Sequence, residues 1–74
     1  LALTPKEFEI LRLFLEHRGE VVETEQIALS VWGHETYGSR NFVEAHISRL
    51  RQKLSLVDAG SIISTIRGIG YVVR

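Results

Sequence analysis

The stretch Asn41-Phe42-Val43-Glu44-Ala45-His46-Ile47-Ser48-Arg49-Leu50-Arg51-Gln52-Lys53-Leu54 decides how this chain of 74 residues is read. Val43, Ile47, Leu50 and Leu54 recur at i, i+4, i+7 and i+11. At 100° per residue they fall within about 60° of one another on a helix. Asn41, Ala45, Ser48, Arg49 and Gln52 lie opposite that stripe, and Arg51 and Lys53 lie on its two flanks. Asn41 as cap, with Glu44 three residues on, marks the start. The spacing predicts a helix over about 41–54 that buries a narrow stripe and leaves most of its circumference outside the core.

Upstream, Thr4, Pro5 and Glu7 form a capping box with proline at its preferred first helical position. Phe8, Leu11 and Leu15 follow at i, i+3 and i+7, with Ile10, Leu13 and Phe14 widening the apolar face. Gly19 is a natural stop, so a first helix is expected from about Pro5 to Arg18. Val21-Val22 is too short for more than a β-bridge. A second helix begins near Glu23 or Thr24, carries Ile27, Ala28, Val31 and Trp32 at helical spacing, and ends near Gly33. Thr24 is the better capping residue, but no Glu or Gln lies three beyond it. His34 to Ser39 is polar, contains Gly38, and reads as a loop. Downstream, Ser55 to Ser61 connects to a β-branched run, Ile62 to Ile66. Arg67-Gly68-Ile69-Gly70 reads as a turn and Tyr71 to Val73 as a second strand, which makes a β-hairpin. The fold class is mainly α with a C-terminal β-hairpin: three helices and a wing in one domain over 1–74.

Composition bounds the function. A chain of this length buries about 60–65% of its unfolded surface, so it forms at most one small domain of modest stability. With no cysteine it has neither disulfides nor thiolate metal sites, and His17, His34 and His46 lack zinc-site spacing. No apolar run reaches a membrane span and no basic leader precedes an apolar segment, so neither a membrane nor secretion is implied. The sequence contains no Met even at position 1, which reads as a domain of a longer protein. No clustered acid–base constellation suggests an enzyme, and no cofactor is implied. The net charge of zero hides a division: residues 1–35 carry three bases against seven acids, giving −4, and residues 36–74 six bases against two acids, giving +4. Screening over about 10 Å makes the local field matter more than the total.

The basic half holds both elements that can read double-stranded DNA. On the 41–54 helix the outward side is small and polar. Ala45 and Ser48 let the backbone approach base edges, and Arg49 has the fork that bonds guanine O6 and N7. In the hairpin, Gly68 and Gly70 give the tip its freedom, and Arg67 is presented where a narrow minor groove attracts arginine. Trp32 reads as core. Tyr71 either packs at the base of the wing or stacks on or bonds a phosphate. A winged-helix module that binds proteins instead is the rival, motivated by the seven acids of the first half. Such a module should lose Arg49 and Arg67 or mask them with acids.

Almost the whole sequence resembles the C-terminal effector domain of OmpR/PhoB-family response regulators. The resemblance rests on Leu3-Thr4 with Glu7-Phe8, Gly19 with Val21-Val22, Glu25-Gln26-Ile27, Val31-Trp32-Gly33, the run Val43 to Leu54, and Thr65-Ile66-Arg67-Gly68-Ile69-Gly70-Tyr71. It implies transcription control in a cytoplasmic two-component system. An N-terminal receiver domain phosphorylated by a sensor kinase, and binding as a homodimer head to tail on direct repeats, are implied with it. The family's effector domain also begins with a four-stranded sheet that this chain lacks, Leu1 to Leu3 being the tail of its last strand. By the resemblance Glu44, Ala45, His46, Ser48, Arg49, Arg51 and Gln52 are DNA-binding positions of the recognition helix. Thr65, Arg67, Gly68 and Tyr71 are those of the wing, Trp32 and Asn41 lie at the DNA backbone, and His34, Glu35, Thr36, Tyr37 and Gly38 fall in a loop that contacts RNA polymerase. Three residues depart from the family pattern: Glu23 in place of a serine cap, Phe42 in place of Ser or Thr, and Ala45 in place of Val, which reduces apolar contact to a thymine methyl.

Overall fold

The computed structural model describes residues 2–33 and 41–74, with the backbone alone at Asn41. Its elements are α1 (Pro5–Glu16), β1 (Val22–Glu23), α2 (Thr24–Trp32), α3 (Asn41–Ser55), β2 (Ile63–Ile66) and β3 (Gly70–Val73). The strands form one antiparallel sheet in the order β1-β3-β2. Three helices with a hairpin alongside make the winged helix-turn-helix that the sequence predicts. Residues 2–4 form no strand and lead directly into α1.

The capping box forms as read. Thr4 Oγ1 accepts the Glu7 N–H at 3.2 Å and Glu7 Oε1 accepts the Thr4 N–H at 2.9 Å. The helix stops at Glu16, two residues before the expected Arg18. His17 leaves helical geometry, and Gly19 turns the chain at a φ of +82°. The Gly19 N–H then bonds the Val73 carbonyl at 2.7 Å, so this turn delivers the chain to the edge of β3.

The apolar face of α1 corrects the sequence reading. Ile10 and Phe14 are buried in line with Glu7, at i, i+3 and i+7, whereas Phe8 and Leu15 are 58% and 49% exposed. A helix apolar around most of its circumference carries two candidate stripes. Packing against the other helices and β3 selects the one that begins with a glutamate, because that carboxylate has partners inside.

Val22-Glu23 is also more than a bridge. Val22 pairs with Tyr71 and Glu23 with Gly70, and the Val22 side chain fills the core. Gly70 permits this approach: a Cβ there would overlap the Val22 carbonyl oxygen and come within 2.8 Å of the Glu23 Cα. Its role is therefore close contact rather than tip flexibility; only Gly68 in the turn has a positive φ, +75°. Glu23 is the N-cap of α2 but makes no side-chain capping bond, and Thr24, the better capper by type, is the first helical residue and is buried. Gly33, at φ +81°, closes α2 with its N–H bonded to the Ala28 and Leu29 carbonyls.

On α3 the stripe Val43, Ile47, Leu50 and Leu54 is buried throughout. It meets Ile10 and Phe14 of α1, Ile27, Ala28 and Val31 of α2, and Ile63, Tyr71 and Val73 of the sheet in one cluster. Each fully buried large side chain contributes about 1.5–3 kcal/mol. The helix runs to Ser55, one residue past the expected end. The capping role read for Asn41 falls on a side chain outside the described residues.

Candidate nucleic-acid interface

Once the α3 stripe is buried, the helical wheel dictates where every other side chain on that helix goes. Ser48, Arg49 and Gln52, opposite the stripe, are exposed, and Ala45 beside them is half-buried. This leaves a small, polar outer surface with one guanidinium. Arg49 has no hydrogen bond or ion pair to any described residue. The wing presents a second cation. The Ile69 N–H bonds the Ile66 carbonyl at 3.0 Å and closes a tight turn with Gly68 in the left-handed region. Arg67 stands exposed in that turn and is likewise unpaired among the described residues.

The two flanks of α3 behave differently from its outer face. On one flank, Arg51 turns to the wing. Its Nη2 donates to the Ile63 carbonyl at 2.9 Å and to Thr65 Oγ1 at 2.7 Å, and its Cζ lies 5.5 Å from the centre of the Tyr71 ring. Tyr71 is 7% exposed and packs at 6.3 Å from Phe14, so of the two roles open in the sequence its ring takes the one at the base of the wing. Burial, together with the Glu44 carboxylate on the same flank, pushes the Tyr71 phenol above its ordinary range, and Arg51 pulls the other way.

On the opposite flank Lys53 reaches back to α1 and donates to Glu7 Oε1 at 2.6 Å. Glu7 is 1% exposed. Burial alone would raise its pKa, but the Lys53 hydrogen bond and charge and the Thr4 bonds outweigh burial and hold the carboxyl below the ordinary carboxylate range. His46, about two turns earlier on this flank, lies edge-on to Trp32 at 5.0 Å, and its Nδ1 bonds the Phe42 carbonyl at 2.7 Å. A carbonyl only accepts, so this nitrogen carries the hydrogen.

Trp32 is half-buried against the core rather than inside it. Phe42 meets it edge-on at 4.9 Å, and Lys6 Nζ sits 5.7 Å from the indole while donating to the Val31 carbonyl at 2.8 Å. Phe42 therefore places an aromatic ring in a cluster joining α2 to α3.

The structure thus brings Glu44, Ala45, His46, Ser48, Arg49, Arg51 and Gln52 onto one helix beside Thr65, Arg67, Gly68 and Tyr71 of the hairpin. His34, Glu35, Thr36, Tyr37 and Gly38 lie outside the described residues. Two tethers escaped the sequence reading, Arg51 to the wing and Lys53 to Glu7. Their flank positions on the wheel were the available signal; the partners were not, since each lies more than ten residues away.

The chain matches the family described as "Transcriptional regulatory protein, C terminal" over residues 1–73, and it belongs to that family. It is 43% identical over 74 residues to "Response regulator ArlR" of Staphylococcus saprophyticus, covering all of this chain and 34% of that protein. It is 42% identical over 72 residues to the transcriptional regulatory protein YkoG of Bacillus subtilis, covering 97% of this chain and 32% of the other. It therefore spans about a third of the length of these relatives. Among solved structures it is similar to the DNA-binding domain of Bacillus subtilis CssR, with a TM-score of 0.84 at 38% identity over 99% of this chain and 78% of that one. It is also similar to the Klebsiella pneumoniae RstA DNA-binding domain in complex with RstA box, with a TM-score of 0.87 at 28% identity over 99% and 73%.

Proposed function

We propose that this chain is the sequence-specific duplex-binding effector domain of a two-component response regulator that controls transcription. The α3 helix enters the major groove and the wing sets Arg67 in the minor groove. The observation that carries this reading is the pair of exposed guanidinium groups without a partner among the described residues, Arg49 on the outer face of α3 and Arg67 at the wing tip. The likeness to RstA, solved bound to its box, supports the same docking mode.

In this reading Arg49 addresses base edges with Glu44, Ala45, Ser48 and Gln52 around it. Thr65, Gly68 and the Asn41 and Trp32 end of the helix pair lie along the phosphates, with His46. Arg51 and Tyr71 stand behind them. Because Ala45 offers a single methyl and Phe42 no hydroxyl, the preferred sequence is this chain's own. The longer protein carries a receiver domain, works in the cytoplasm, pairs as a homodimer on direct repeats, and meets RNA polymerase through residues 34–38.

Selection from a random duplex pool tests the proposal. An enriched consensus should emerge, bound with a log affinity that falls with log salt at about 0.9 per phosphate neutralised. No enrichment together with a flat salt response would refute it.

A further inference from the structure

Arg51 is the one cation of α3 whose guanidinium is tied to the wing. A single nitrogen, Nη2, bonds both the Ile63 carbonyl and Thr65 Oγ1 on β2, while the guanidinium carbon lies 5.5 Å from the centre of the Tyr71 ring on β3. One side chain thereby touches both strands of the hairpin, and Thr65 and Tyr71 are themselves register partners. The bonds are charge-assisted and fixed in direction by the planar fork, so they hold angle as well as distance. The Thr65 hydroxyl accepts from Arg51, so its own hydrogen is left to donate elsewhere, and Thr65 is exposed two residues before Arg67.

We propose that Arg51 is a positioning residue that sets the wing against the recognition helix and turns the Thr65 hydroxyl outward as a donor, so that Arg67 reaches DNA in register with Arg49. This rests on the DNA-binding reading above. It assigns to Arg51 an action through the wing in place of its own contact with DNA. The buried stripe of α3 fixes the helix to the core, but the hairpin tip extends beyond that core. A rigid link from helix to hairpin is what the two-groove contact requires, and Arg51 supplies it with groups already satisfied inside the protein.

The test is a double-mutant cycle between Arg51→Met and Arg67→Ala, read as affinity for the consensus duplex from the pool selection, with the thermal midpoint of each variant measured alongside. Arg51→Met should weaken binding about tenfold in the parent chain and clearly less, about threefold, in the Arg67→Ala background, because the part of its effect that passes through Arg67 is already lost there. Arg51→Lys, which keeps the stem and charge over Tyr71 and guards against loss of folding, goes through the same cycle and should show the same non-additivity. Additive losses would make Arg51 an independent contact and overturn the proposal, as would a lowered thermal midpoint with unchanged affinity. A parent chain that binds no duplex would instead remove the DNA-binding reading and this role with it.

Discussion

The outer face of α3 and its two flanks carry cations of the same type within a few residues of one another, yet the structure uses them in opposite ways. Arg49 looks outward with no partner among the described residues. Arg51 and Lys53, two and four residues on, are held by the wing and by the buried Glu7. A basic helix is thus two things at once, an outward face with a free cation among the described residues and a pair of struts. Charge counting overstates the first by including the second. The +4 of the second half contains at least two charges whose bonds are already made inside the protein.

The largest effect that would sharpen this contrast is on stability. Lys53→Met leaves the Glu7 carboxylate buried without its cation and should cost about 3 kcal/mol in urea unfolding, since breaking one side of a buried pair is costlier than removing both. The double change Glu7→Gln with Lys53→Met should recover most of it. A loss below about 0.5 kcal/mol in the single variant would place Lys53 with the outward cations after all.

Arg49→Ala should do the reverse. It should cost about 2 kcal/mol of duplex affinity and relax preference at one base position, with unfolding unchanged. An equal loss on every sequence would make Arg49 a phosphate contact only. Next in size, Arg67→Ala should weaken duplex binding by about 1.5 kcal/mol while the thermal midpoint stays put. A parallel fall in the midpoint would move Arg67 to the structural group.

The smallest effect concerns acid. The folded Glu7 carboxyl lies below its unfolded value, ordinarily about 4.3. Its contribution to stability is therefore complete above that value and is lost as pH falls through the lower, folded one. Urea midpoints taken from pH 6 down to pH 3 should decline, and more shallowly in Glu7→Gln. Identical slopes in the two proteins would show that the Lys53–Glu7 strut does not govern the acid limb.

Much of this was legible without coordinates. The capping box Thr4–Glu7 and the α3 stripe are local patterns whose physics is complete within a dozen residues, and both form as read. The hairpin differs from its expected bounds by only a residue at each strand start. The readings that changed all depend on distant neighbours. Phe8 and Leu15 are as apolar as Ile10 and Phe14, and only the positions of α2, α3 and β3 determine which pair is covered. Val22-Glu23 has no periodicity to detect; it becomes a strand because β3 offers an open edge and Gly70 has no Cβ to block the approach.

The sequence by itself determined three helices and a wing and the helix that faces outward, and it offered Arg49, Arg51 and Arg67 alike as candidates for DNA. Those follow from spacing along the chain, where the helical period and the turn residues act locally. The tertiary structure alone decided which basic side chains remain available. Arg51 and Lys53 find acceptors 12 and 46 residues away, and only folding brings a carbonyl, a hydroxyl and a buried carboxylate within about 3 Å of a cation.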